Sequence, residues 1–340
     1  MSNVSSPSPH LESDLWRWLL FESGLKRGRA RELILQGAQS NALSLFWQAG
    51  PDILVQQLAL SPDEAAHFQD VHKNWAAHVA RFEAEREQGV QTLRLNQPGY
   101  PDSLLRFTSL ERRPLLLFLR GERALLEMPL LLPVAGTPPA EKAVAWALEA
   151  FAELIAEGAL PLLIARAGFE AQLARAFLDA EMPFVLVIPQ GLAAYTPPVG
   201  LAQALREERV LLISPFRPDF APPPVSENPL LAPAVDFARA LAHAHLTLAL
   251  PAPAAAAGQP CFRWPELTAG EGCPEAYEDA ETLFLRLAES VAPHPPGVMV
   301  TASQPPIPTA PVDPAEILEI LARGGDIPPA LAQRLHKGNA

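Results

Sequence analysis

Two short stretches of this chain carry residue types that can hold phosphate. The first is Gly136-Thr137, at the end of the apolar run Leu130–Val134. Glycine permits close backbone approach, and a threonine hydroxyl can cap a helix. A helix starting near Ala140 would point its positive end at an anion. Pro138 and Pro139 take two N–H donors out of that turn, which weakens the site. The second stretch is Arg166–Glu170, with Gly168 inside it. Arg166 can supply a guanidinium to the same rim, or it is a surface residue in a loop; the residues alone leave both readings open. A further basic group, Lys26, Arg27, Arg29 and Arg31, crowds a turn beside Gly24 and Gly28. A glycine turn opening a helix, with basic side chains around it, suits a secondary contact to a nucleic-acid backbone. The same pattern also describes the solvated start of a helix.

No catalytic set is present. There is no G-x-S-x-G elbow, no GxxxxGK[ST] loop and no HExxH. Gly136 alone is not a dinucleotide fingerprint. An enzyme is not expected, and neither is a cofactor. His243 and His245 could share one face of an extended segment, but no third ligand accompanies them, so no metal site is expected. Two cysteines, Cys261 and Cys273, are too few for a disulfide framework or a cysteine zinc site.

The elements that must position these residues lie between Met128 and Gly191. Apolar runs at Leu130–Val134, Leu160–Ile164 and Phe184–Ile188 alternate with helical patterns at Glu141–Glu157 and Glu170–Ala180. This β-α-β-α-β order predicts an α/β fold with a Rossmann-like parallel sheet and helices on both faces. Ligands in such sheets sit beyond the strand carboxyl ends. A helix at Leu201–Glu208, a strand at Val210–Ser214, a helix at Val235–Ala242 and a strand at His245–Leu250 continue the alternation. Cys261–Pro274 shows no periodicity, and Ala276–Ser290 reads as an amphipathic acidic helix.

Around this core the chain divides as follows. Residues 1–10 are a polar tail expected to be disordered. Residues 11–88 read as a small all-α domain of about five short helices, among them helices at Ala42–Ala49 and Ile53–Leu60 and another starting at Ser61-Pro62. Residues 89–292 hold the sheet. Residues 293–313 form a Pro-rich linker and 314–340 a short helical tail. The 38 prolines, about twice the usual share, cluster in loops. The net charge of −12 argues against a surface that binds nucleic acid everywhere, but allows a local basic patch. No apolar run reaches the length of a membrane span, and MSNVSSPSPH lacks the regions of a signal peptide. A cytoplasmic protein without a membrane partner is expected.

Residues 90–121 resemble a known family. In DprA (Smf) DNA-processing proteins a helical SAM-like domain is followed by a strand, a "YP..L..i.d.P..Lf.rG" segment and a Rossmann-like domain, so the resemblance implies a SAM or helix-hairpin-helix-like domain at 11–88. Tyr100-Pro101, Leu104, Pro114, Leu117-Phe118 and Arg120-Gly121 match in order and spacing. Gly136-Thr137 is similar to the family's "iVGsR" turn, with Pro138 in place of the arginine. Gly168 and Glu170 fall in its "SGlA.GID" segment, with Ile164 at a family glycine. Gly191 and Tyr195 match the next motif, and Ser214 the one after. Asn228 matches the "RNR" motif, whose arginine positions are Glu227 and Pro229 here.

The resemblance implies single-stranded DNA binding by Gly136, Thr137, Arg166, Gly168 and Asn228, with Arg112, Arg113 and Arg120 as electrostatic support. It also implies a RecA-type recombinase as partner, recombinase loading in natural transformation, and a homodimer. The departures at Pro138, Ile164, Glu227 and Pro229 leave an alternative: a paralogue that has lost DNA binding and serves protein interaction. A nucleotide or phospho-sugar binder is the weaker third reading.

Overall fold

The structure is a computed structural model. It describes residues 10–40, 63, 73–222, 228–251, 255–256, 258–267 and 275–291. The expected tail at 1–9, the helices at 42–60 and from Ser61, Glu227, Cys273, the linker and the C-terminal tail lie outside the described residues.

The strands run where the apolar patterns place them. They are β1 (Gln91–Arg94), β2 (Leu116–Gly121), β3 (Leu130–Ala135), β4 (Leu160–Ile164), β5 (Phe184–Val187), β6 (Val210–Ser214) and β7 (Ala244–Ala249), with β8 (Cys261–Arg263) and β9 (Glu275–Ala276). They form one nine-stranded sheet in the order β1-β2-β6-β5-β4-β3-β7-β8-β9. From β6 to β9 every pairing is parallel, while β2 is antiparallel to β6 and β1 to β2. Successive side chains of a strand point to opposite faces, so each strand feeds two cores. Leu131, Leu163, Phe184, Leu186, Val210 and Leu212 face one of them. Leu130, Leu132, Leu162, Val185, Leu211 and Ile213 face the other.

The helices are α1 (Leu11–Phe21), α2 (Arg27–Ser40), α3 (Trp75–Glu87), α4 (Asp102–Phe107), α5 (Glu141–Ala156), α6 (Phe169–Asp179), α7 (Val199–Arg206), α8 (Leu231–Leu241) and α9 (Ala280–Val291). The first core takes in α5, through Ala143, Ala147, Phe151 and Leu154, and α6, through Leu173 and Phe177. It extends without a break into the N-terminal helices: Trp16, Trp18, Leu33, Ile34 and Phe82 belong to the same cluster as Phe118 of β2. Arg17 is buried there over the Phe82 ring, 4.0 Å from its centroid, and pairs with the buried Glu85. The second core is closed by α4 and α8 through Leu104, Phe237 and Leu241.

Most boundaries fall within two residues of the sequence patterns, and three places differ more. Helix α8 starts at Leu231, because Pro233 sits in its first turn, where no intrahelical donor is lost. The unpatterned stretch after residue 260 supplies β8, which pairs with the open edge of β7; three residues are too few to show a period. Helix α9 starts at Ala280 and not at Ala276. Glu275-Ala276 pair with β8, and the Asp279 carboxylate accepts the Thr282 N–H at 2.7 Å as a cap.

Candidate nucleic-acid interface

The order of strands reverses beside β3. From β3 the chain proceeds to β4, β5 and β6 on one side, then returns to β7 on the other. Such a switch point is where open α/β sheets leave a crevice for ligands. Gly136 stands at its lip. Its N–H donates to the Ala249 carbonyl at 3.3 Å. A Cβ at this position would lie 2.1 Å from the Pro251 carbonyl oxygen. The close approach that glycine allows here is therefore to the chain's own backbone. Thr137 completes the contact, its hydroxyl donating to the Leu250 carbonyl at 3.1 Å. The sequence expectation that Thr137 caps the next helix is corrected: Ala140 holds the cap position, with no side-chain bond. The hydroxyl is turned to the loop after β7.

Beyond the neighbouring strand β4, Gly168 caps α6 with φ +108°, a backbone conformation that favours glycine. It aligns α6 so that Glu170 turns inward, 2% exposed. Burial pushes the Glu170 carboxyl above its ordinary value, and the hydrogen bonds from Arg166 work against that rise. Arg166 Nε donates to Glu170 Oε1 at 2.6 Å, and Nη2 donates to the same oxygen. The guanidinium charge at this rim is thus largely neutralised by a carboxylate. Asn228 is bonded at both ends of its amide: Nδ2 donates to the Pro189 carbonyl at 2.8 Å, and Oδ1 accepts the Leu230 N–H at 2.9 Å. Ser214 is used in the same way, its hydroxyl donating to the Gln190 carbonyl at 2.7 Å.

The remaining basic residues fall elsewhere. Arg120 is opposite Leu212, back inside the sheet from the carboxyl end of β6. Because β2 runs antiparallel to β6 with Phe118 opposite Ser214, residues that precede β2 emerge past that carboxyl end. Arg112 and Arg113 lie there. Arg113 donates to the carbonyls of Leu104 (3.2 Å), Leu105 (2.6 Å) and Thr108 (2.9 Å), closing the end of α4. Arg31 reaches over from α2 and donates through Nη2 to the Leu110 carbonyl. Burial, and then the nearby Arg27, lower the Arg31 guanidinium from its ordinary value; Arg113 adds to this. The structure therefore brings the basic turn at 26–31 to the loop at 109–113. Arg29 pairs with Glu32 at 2.8 Å.

Sequence reasoning missed a charged cluster between these two regions. Arg217, just after β6, reaches Glu22 at 3.4 Å and Asp219 at 2.8 Å. Arg81 of α3 pairs with Glu22 and lies 3.5 Å from Asp219. It ties the helical region to a rim loop. No signal in the sequence marks it, because its members are scattered over separate elements and each reads as an ordinary surface charge. His245 is a buried core residue, and His243 lies half-buried at the edge of the same core. His243 Nδ1 accepts the Leu130 N–H at 2.9 Å, and burial lowers both imidazoles to about 4. Among the described residues no group of three or more His, Cys, Asp or Glu is placed to hold a metal ion, and no helix is long and apolar enough to cross a membrane.

No protein-family model matches the sequence, and no curated protein matches it. Solved structures do. DNA processing protein A from Helicobacter pylori, described for its single-stranded DNA binding mode, aligns at 18% identity over 58% of this chain and 86% of that one, with a TM-score of 0.38. DNA processing protein A (DprA) from Streptococcus pneumoniae aligns at 15% identity over 80% of this chain and 97% of that one, with a TM-score of 0.56. This chain has the fold of the pneumococcal protein, the same fold that its Tyr100–Gly121 motif implies.

Proposed function

We propose that this chain is a divergent DNA-processing protein of the DprA type, a non-enzymatic cytoplasmic protein that binds single-stranded DNA. The observation that carries the reading is the extent of the fold likeness. The alignment covers 97% of the pneumococcal chain and 80% of this one, and this chain carries the Tyr100–Gly121 motif between its helical region and its parallel strands. Loading of a RecA-type recombinase during natural transformation, and a homodimer, belong to the same proposal. At the rim, Gly136, Thr137, Arg166, Gly168 and Asn228 shape the surface, and Arg166 offers it a partly exposed guanidinium. Anisotropy of a labelled oligo-dT at low salt tests the reading. Saturable binding that weakens steeply with added salt is expected; an unchanged signal at micromolar protein would sink it.

A second reading has specific support. The polar groups at the switch point are bonded to the chain's own backbone, which suits a paralogue that keeps the scaffold for protein contacts alone. A recombinase pull-down, with light scattering for the dimer, separates the two: capture without oligonucleotide binding favours the paralogue. The contact between Gly136 and Pro251 also counts against a nucleotide or phospho-sugar in this crevice, where a phosphate needs close backbone approach.

A further inference from the structure

We propose that the first turn of α2 and the 109–113 loop together form a phosphate-backbone surface that holds single-stranded nucleic acid at the β1–β2 edge of the sheet. The inference rests on the single-strand reading above and adds to it a second place of contact.

Three observations carry it. The first concerns what the arginines are bonded to. Arg31 and Arg113 spend their hydrogen bonds on carbonyl oxygens of Leu110, Leu104, Leu105 and Thr108. A carbonyl satisfies an N–H but brings no counter-charge. Lys26, Arg27 and Arg112 are exposed and have no carboxylate partner among the described residues. Within 26–32 and 108–113 the acids are two against six basic residues: Glu32, which faces Arg29, and the fully exposed Glu111, which is held by its own backbone N–H and by Ser109 and offsets only part of the Arg31 charge. Like charges gathered this closely repel each other. In a chain of net charge −12 such a concentration is the reverse of the background, and an external polyanion relieves it.

The second observation is room. The first turn of α2 carries N–H groups without intrahelical partners, and its dipole favours an anion. Gly28 lies in that turn, and among the described residues nothing beyond its chain neighbours and its own helix backbone comes within 4 Å of where its Cβ would be. A phosphate backbone can come up to this helix end, whereas at Gly136 the same space is filled by Pro251. Leu105 and Leu110, 40% and 48% exposed, flank the loop and give sugars and bases an apolar bed.

The third observation is position. The 109–113 loop emerges past the carboxyl end of β6, the end of the sheet that also carries Arg166. Two strands, β6 and β5, stand between β2 and β4. At the usual strand spacing that is about 14 Å, so one strand of nucleic acid that touches Arg166 can reach the basic face as well.

The test uses the full chain and a labelled oligo-dT. Wild type is expected to bind. R27E/R112E changes two exposed side chains; it should keep the wild-type melting temperature and lose about tenfold or more in affinity. Its slope of log affinity against log salt should flatten by about 1.4, near 0.7 for each single-strand phosphate that is no longer neutralised. R27K/R112K, which keeps the charge, should bind nearly as wild type does. Wild-type affinity and salt slope in R27E/R112E would overturn this inference and leave the single-strand reading standing. Wild type that fails to bind at low salt removes the single-strand reading, and this surface with it.

Discussion

The switch-point rim and the basic face at the sheet edge contain the same residue types, arranged to opposite effect. At the rim, Gly136 receives the chain's own carbonyl from Pro251, and Arg166 neutralises the buried Glu170. At the edge, no other described segment comes within 4 Å of a Cβ at Gly28, and Arg31 and Arg113 bond carbonyls, which bring no counter-charge. What separates a structural arginine from a ligand-facing one is the charge of its partner, not its exposure or the number of bonds it makes. The rim is therefore expected to respond to substitution through stability, and the edge through binding.

The largest test of that contrast is acidification. His243 and His245 lie at the amino end of β7, the strand whose other end borders the crevice, and both are held to about 4 by burial. Free histidine titrates near 6.5, so between these values the unfolded chain binds more protons than the folded one. Stability should be fully present above about pH 6.5, fall as pH drops to about 4, and level off below. The loss is at most about 3 kcal/mol for each imidazole. Urea titrations across this range check it; H243N, whose carbonyl can still accept the Leu130 N–H, should show about half the slope. An equal slope in wild type and variant would assign the pH effect elsewhere.

Next comes Gly136→Ala. Its Cβ cannot share space with the Pro251 oxygen, so about 4 kcal/mol of stability should be lost, or the chain should fail to fold. A soluble G136A of wild-type melting temperature would mean that the loop after β7 moves aside easily and the crevice can open. Arg166→Ala strands a buried carboxylate. About 2 kcal/mol is expected, discounted because Arg166 is partly exposed to water. Adding Glu170→Gln should recover much of it, as read by thermal melts. If R166A instead kept its stability and lost most oligonucleotide affinity, the rim would be the principal binding site and the contrast would break. The smallest effect is that of Arg27→Glu with Arg112→Glu on stability, within about 0.5 kcal/mol. A larger loss would mean that the edge arginines are part of the fold.

Much of this fold was legible before any coordinates. Leu160–Ile164 and Val210–Ser214 are strands over the very residues of their apolar runs, and Glu141–Ala156 keeps its helical start. The Tyr100–Gly121 motif pointed to the right scaffold. The strand β8 was not legible, because its register comes from the edge of β7 and not from its own side chains. The candidate site was legible only as a set of residue types. Gly136-Thr137 reads as a phosphate turn until Leu250 and Pro251 arrive from 113 residues or more along the chain. Arg31 and Arg113 read as unrelated charges until Arg31 reaches Leu110 across 79 residues.

The sequence by itself determined the elements, since hydrophobic periodicity and turn chemistry act over a few residues and need no partner. Only the tertiary structure decided which polar groups are already bonded. Hydrogen-bond and charge partners are set by which segments the packed cores bring together, and no local spacing records that choice.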